Sequence, residues 1–271
     1  MSNIHEMVNF EIIKKPIAIF RIVEIITTII AFACVCGFSI VITVKIECDS
    51  TQRKETINEV EEFTIQYPFH LTSIKIRDYC GDLELVTNLF DVNYETDAEF
   101  YVAIGVLAFL YALAALVFYI VFWEKYVYST YFPFPDMFMT FVFATFWFSS
   151  SCSWASAVSG LSQYADYESV VDSLHKLQSC QTSKHGKCAV EPDRWSFSEL
   201  SFAAFMGFLN AFIWYAHSYL LYRNLRKIKS EEQRRNDLLT ATIDYPHNGA
   251  VAPTTNYGRN QPPPVTHPSN Q

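Results

Sequence analysis

Charge is scarce where this chain is most apolar. Charged residues make up 18% of the 271 residues, and they nearly vanish from four runs at about 22–44, 100–122, 137–158 and 197–222. The run that begins at Phe100 has no polar face of the kind an amphipathic helix shows when it packs on a soluble core; it is apolar all round. That lack of periodicity excludes an ordinary soluble domain. Catalytic signatures are missing as well. There is no Walker-type phosphate loop, no Gly-x-Ser-x-Gly elbow and no His-Glu-x-x-His zinc motif. No catalytic residue, cofactor or metal site is therefore expected, and no nucleic-acid partner. The first apolar run lacks a small-x-small cleavage site and is longer than the apolar region of a signal peptide, so it reads as a retained signal-anchor helix.

What the chain does have is length in these runs. At about 1.5 Å of rise per residue, each can cross a hydrocarbon core of roughly 30 Å. The expected architecture is an all-α, four-span membrane domain over 22–222, preceded by a short segment at 1–21 and followed by a tail at 223–271. Lys14, Lys15 and Arg21 flank the first run, and Arg223, Arg226, Lys227 and Lys229 follow the fourth. The positive-inside rule then places both termini in the cytosol. Two polar loops, about 45–98 and 159–196, face the lumen or the exterior. An alternating stretch from Phe63 to Ile76 predicts short strands in the first loop, broken at Pro68. Tyr167 to Leu177 predicts a helix in the second. The loops read as two compact caps on a helical bundle. Beyond Leu239 the tail is rich in Pro, Asn, Thr and Gly and predicts disorder, while the charged stretch from Arg223 to Asp237 can extend the last helix.

Seven cysteines sort by this topology. Cys48 and Cys80 fall in the first loop and Cys180 and Cys188 in the second, so an oxidising compartment gives one disulfide per loop. Cys34, Cys36 and Cys152 lie within spans and read as small packing residues. His175 and His185 share the second loop with Asp172, but their spacing matches no familiar zinc arrangement.

Within the spans, polar residues are few. Glu24 follows Arg21 by one helical turn, which suggests an interfacial ion pair whose heads snorkel toward water. Its alternative is an ion or helix-partner contact, with Asn210 and His217 of the fourth span as candidate partners. Those two read equally well as ordinary helix–helix hydrogen bonds. The run Ser149-Ser150-Ser151-Cys152-Ser153-Trp154 is built of small residues around one indole, suited to close packing inside the bundle or to an oligomer interface. In the tail, Leu238 and Leu239 resemble an acidic dileucine signal, but Arg234 stands where an acid would be needed.

With these residues in view, the chain resembles the synaptophysin, or physin, group of four-span MARVEL-domain vesicle proteins. The resemblance rests on Tyr67-Pro68-Phe69-His70-Leu71, Ala98-Glu99-Phe100-Tyr101-Val102, Ala108-Phe109-Leu110-Tyr111, Ser149 through Ala155, and Gly207-Phe208-Leu209-Asn210. It implies a MARVEL-type bundle with disulfides Cys48–Cys80 and Cys180–Cys188. The chain departs from the group in two respects: neither loop holds an Asn-x-Ser/Thr sequon, and the tail keeps only Tyr257-Gly258 of a Tyr-Gly repeat. The resemblance further implies a non-enzymatic organiser of synaptic or small secretory vesicle membranes. Its expected associates are membrane lipid, other copies of itself and a synaptobrevin-type vesicle SNARE. The rival expectation is an oligomeric channel or transporter, which needs a polar path through the spans. A third is lipid sensing by the basic cluster after the fourth span.

Overall fold

Proline opens the first long helix. Pro16 occupies the first turn of helix α1, Pro16–Cys36, where its missing N–H would have had no partner anyway. The helix ends as Gly37 donates its N–H to the Ala33 carbonyl at 2.8 Å. The computed structural model describes residues 10–49, 56–78, 85–129, 131–175, 180, 186–191 and 195–243. It resolves two units, Met1–Lys229 and Ser230–Gln271.

The first unit contains α1 together with helix α2, Glu95–Tyr128, helix α3, Pro133–Tyr164, the short helix α4, Tyr167–His175, and most of helix α5, Ser198–Ile243. The helical backbone of α2 is interrupted at Phe122. Among the described residues three helices are both long and apolar enough to cross a membrane, within Pro16–Cys36, Glu95–Val127 and Ser198–Thr240. Helix α3 has the length, at 32 residues. Its serines, however, dilute its apolar character. Leu107, Leu110, Phe138 and Phe212 are all more than half exposed on the outer faces. Such faces suit a hydrocarbon surround.

The boundaries differ from the expected ones at the first run. It divides into α1 and strand β1, Ser39–Asp49, rather than continuing as helix to residue 44. Ile42, Val44 and Ile46 are buried, while Lys45 and the flanking Val41 and Glu47 are exposed and Thr43 is half-buried, a period of two with β-branched residues on its inward side. An unbroken apolar run hid that change of period.

The expectation of an all-α chain is corrected too: the described residues are mostly helical but include two sheets. Strand β2, Thr56–Gln66, pairs antiparallel with β1, setting Ile42 opposite Phe63 and Ile40 opposite Ile65 on the inward face. On the other side of β1 lies strand β5, Gly186–Val190, with Val44 opposite Val190 and Ile46 opposite Cys188. The sheet order is thus β2-β1-β5. The two polar loops are not separate caps; they share one sheet. Strands β3, Lys75–Asp78, and β4, Leu85–Asn88, form a second, two-stranded ribbon. A disulfide joins Cys180 to Cys188 across Cα atoms 5.6 Å apart. Cys80 lies outside the described residues, and with it the expected bridge to Cys48. Cys34, Cys36 and Cys152 are free thiols.

Aromatic packing joins sheet to helices. Phe69, 1% exposed, follows a cis Tyr67–Pro68 bond and takes a left-handed backbone at φ 69°. Its N–H donates to Gln66 O at 2.7 Å, and its carbonyl accepts from Leu71 N at 3.0 Å. The ring meets Trp154 at 5.5 Å and Phe38 at 6.0 Å. Tyr101 lies beneath, 5.9 Å from Trp154 and 5.6 Å from Trp147, and its hydroxyl donates to the Ala203 carbonyl at 2.5 Å. Burial pushes the phenols of Tyr67 and Tyr94 above the ordinary range. Cys36 and Glu99 add to this at Tyr67, as Tyr164 and Asp97 do at Tyr94.

In the second unit the chain is helical from Ser230 to Ile243, with Gln233 Nε2 donating to Asp237 Oδ1 at 3.1 Å. Leu238 and Leu239 are exposed there. The expected disordered stretch past Ile243 lies outside the described residues.

Candidate functional site

Among the described residues, Arg21 is the centre of the most concentrated buried polar chemistry. Placed in the second turn of α1, away from the sheet, it is wholly buried. Its Nη1 donates to Glu24 Oε2 at 2.7 Å, and its Nη2 donates to Asp136 Oδ1 at 2.5 Å and to Thr140 Oγ1 at 2.7 Å. The guanidinium carbon stands 5.0 Å from the Tyr111 ring centroid and 5.5 Å from that of Trp214, within range of cation–π attraction. One side chain therefore ties α1 to α2, α3 and α5.

Asp136 lies in the first turn of α3, where the helix dipole favours an acid. Its Oδ1 also accepts from the Tyr111 hydroxyl at 2.8 Å. Its Oδ2 accepts from the hydroxyls of Tyr119 and of Tyr126, the latter at 2.8 Å. Both oxygens therefore hold two donors, the full complement of an ionised carboxylate. The three tyrosines lie along α2, so a single aspartate anchors that helix at three heights.

Glu24 is wholly buried and faces the other way. Its Oε1 is 2.8 Å from His217 Nδ1 on α5, and the imidazole stacks on Phe20 with centroids 5.2 Å apart. With Glu24 Oε1 as the acceptor of this bond, Nδ1 is its donor. Farther along α5, Asn210 Oδ1 accepts from Thr27 Oγ1 at 2.7 Å and from Thr28 Oγ1 at 3.3 Å, while Nδ2 donates to Thr27 O at 3.2 Å and Met206 O at 2.9 Å. Two clamps thus join α1 to α5. Close approach of α5 to its neighbours occurs at Gly207, where a Cβ would overlap Ser151 Oγ and come within 2.7 Å of the Tyr101 ring.

The structure brings three of the sequence-predicted residues, Glu24, Asn210 and His217, to the α1–α5 contact. Trp154 is elsewhere, buried under Phe69 in the aromatic layer nearer the sheet. The expected snorkelling of Arg21 and Glu24 is corrected. They do pair across one turn, but both are sealed inside the bundle, where Asp136 and Thr140 accept from Arg21 Nη2 and His217 meets Glu24 Oε1, although Arg21 Nε is left without a hydrogen-bond partner. Sequence reading missed Arg21 as a hub, Asp136, Thr140 and the tyrosines. Asp136 precedes the run at 137–158, so the apolar pattern does not single it out. Tyr111, Tyr119 and Tyr126 carried the one available signal: spacings of eight and seven put three hydroxyls near one face of an apolar helix.

A family model described as MARVEL, membrane-associating domain, matches residues 12–220. The chain belongs to the MARVEL family. The matched span encloses the whole Arg21 network, both sheets and the disulfide. As a MARVEL domain the chain is a membrane-associating protein, and its helices α1, α2 and α5 supply apolar lengths suited to that. Among the described residues no group of three or more His, Cys, Asp or Glu side chains is arranged to hold a metal ion. The network's chemistry is that of a lock. In an apolar surround it fixes one register of four helices, since any slippage would strand a buried charge.

Proposed function

We propose that this MARVEL protein is a non-enzymatic organiser of synaptic or small secretory vesicle membranes, of the synaptophysin group. In this reading α3 is the fourth crossing, both termini are cytosolic, and the sheet and its disulfides face the lumen. Cys48–Cys80 closes the first loop as Cys180–Cys188 closes the second. The protein associates with further copies of itself and with a synaptobrevin-type vesicle SNARE, and so influences SNARE sorting, exocytosis and membrane retrieval.

The observation that carries this reading is the mutual bonding of the buried ionisable groups inside a MARVEL bundle. Arg21, Glu24, Asp136 and His217 are bonded in one chain of ion pairs and hydrogen bonds. That favours a rigid scaffold presenting apolar faces over a transporter with a polar path of its own. Mild crosslinking of intact vesicles followed by quantitative proteomics tests it. Enrichment of a vesicle SNARE and of homotypic crosslinks is expected. Selective currents from the purified protein in planar bilayers, abolished by Glu24→Ala, would instead favour the channel. For topology, tags before Ser2 and after Gln271 should be digested by protease outside intact vesicles, and a tag near Thr51 should be protected.

A further inference from the structure

The end of the bundle away from the sheet gathers positive charge from segments far apart in the chain. Contacts between the antiparallel helices α1 and α5 fix their register: Thr27 and Thr28 meet Asn210, Glu24 bonds His217, and Phe20 stacks on the same imidazole. Continued at the same rise per residue, that register sets Lys14 and Lys15 level with Arg223 and Arg226. Ile12, in the short 3-10 turn Phe10–Lys14, is buried in one cluster with Tyr126 and Leu221, which holds the segment carrying both lysines against α2 and α5. Lys14, Lys15, Arg223 and Arg226 are exposed, as is Lys125 near the end of α2. Lys14 meets Glu11 at 3.8 Å, whereas Lys125 and Arg226 stand over aromatic rings, those of Phe122 and Tyr222, at 5.4 and 5.9 Å from the centroids. The chain as a whole carries a formal net charge of −8, so this positive end is a local feature and not the general charge of the protein. Directly beside it the lipid-facing surface is apolar and aromatic, with Ile19, Tyr219 and Tyr222 exposed.

We propose that this end of the bundle binds the headgroup of a phospholipid carrying more than one phosphate, of the polyphosphoinositide class, between Lys14 and Lys15 on one side and Arg223 and Arg226 on the other. Basic clusters immediately beside a span attract anionic headgroups, and arginine's planar fork grips phosphate through two parallel hydrogen bonds while lysine adds a point charge. Charge placed only to orient the spans needs a position in the sequence and no meeting of distant segments. Here the cations of α1 and α5 come to one level, where they repel each other until an anion lies between them. A headgroup with a single negative charge cannot neutralise both sides, whereas one with several phosphates can. The apolar flank selects a lipid over a soluble phosphate compound, since acyl chains can lie along Ile19, Tyr219 and Tyr222 while the headgroup reaches the cations. A bound lipid would then bridge the ends of α1 and α5 beyond the buried Glu24–His217 contact.

The test titrates the full chain in nonionic-detergent micelles with a fluorescent phosphatidylinositol bisphosphate and follows its anisotropy. Both ends of the bundle are accessible in micelles, so the result does not depend on which side of a membrane this end faces. Saturable binding is expected, displaced by the unlabelled lipid and far less by phosphatidylserine at equal total charge. Lys15→Gln and Arg223→Gln should each weaken it about fivefold, the effect of one well-placed cation, and should do so more than Lys75→Gln or Arg77→Gln at the sheet, both exposed in the native chain. Arg223→Lys, which keeps the charge and loses the fork, should fall between wild type and Arg223→Gln. Absence of saturable binding by the wild type would overturn the proposal without recourse to any variant. Equal displacement by phosphatidylserine would overturn the preference for several phosphates, and soluble inositol trisphosphate binding as tightly as the lipid would overturn the choice of a lipid. Equal losses in the sheet variants would overturn the placement of the site.

Discussion

Removing the cation from the buried network should be far worse than removing one of its anions. In Arg21→Met the aliphatic stem is kept and the guanidinium is lost, which leaves Glu24 and Asp136 as two buried carboxylates without a positive charge. Breaking a buried pair by removing one partner costs about 3–5 kcal/mol. The tyrosine hydroxyls soften this at Asp136, but Glu24 keeps only His217. In Asp136→Asn, by contrast, Arg21 still has Glu24 at 2.7 Å, and the network becomes neutral. The amide keeps an acceptor for Arg21 and Tyr111, while the two hydroxyls on its other side can turn to accept. That variant loses polar contacts worth about 1–2 kcal/mol, given that single hydrogen bonds in membrane bundles average about 0.6 kcal/mol. The triple change Arg21→Met, Glu24→Gln, Asp136→Asn removes every fixed charge and should recover much of what Arg21→Met loses. Unfolding in bicelles by steric trapping measures all three against wild type. If Arg21→Met falls within 1 kcal/mol of Asp136→Asn, or if the triple change is the least stable, the charge-balance reasoning fails.

Other predictions test the packing around the network. Gly207→Ala should destabilise by about 1–3 kcal/mol, as overpacking does, since the added methyl meets Ser151 and the Tyr101 ring together; Ser151→Ala should rescue it only in part, because Tyr101 remains, as the same unfolding assay reads. Asn210→Leu should cost about 1 kcal/mol and loosen α1 from α5, seen as faster hydrogen exchange near Thr27. In denaturant without reductant, alkylation should label the free thiols Cys34, Cys36 and Cys152 and spare Cys180 and Cys188 until reduction. At the sheet end, the raised phenol of Tyr94 stabilises fully below the ordinary tyrosine range near ~10 and loses that contribution as pH rises through the folded value. Thermal melts from pH 8 to 11 should therefore decline less steeply in Tyr94→Phe.

Composition by itself determined that this is a membrane-associating, mostly helical chain, because apolar runs longer than any soluble pattern needs admit few other solvents. Local sequence also supplied the break between strands at Pro68 and the two-residue period near Phe63. The tertiary structure decided three further things. It ended α1 at Cys36 and turned Ile42, Val44 and Ile46 into a strand, since a β-branched apolar run satisfies helix and strand alike until its neighbours select a face. It paired β1 with β5 across well over a hundred residues of chain, a choice of partner that no local period encodes. And it carried Arg21 inward instead of to a membrane surface. Asp136, at the edge of its apolar run, and three tyrosine hydroxyls on a separate helix converge there. A charge in apolar surroundings is tolerated only where its partners meet it in space, and that meeting is a property of the folded bundle.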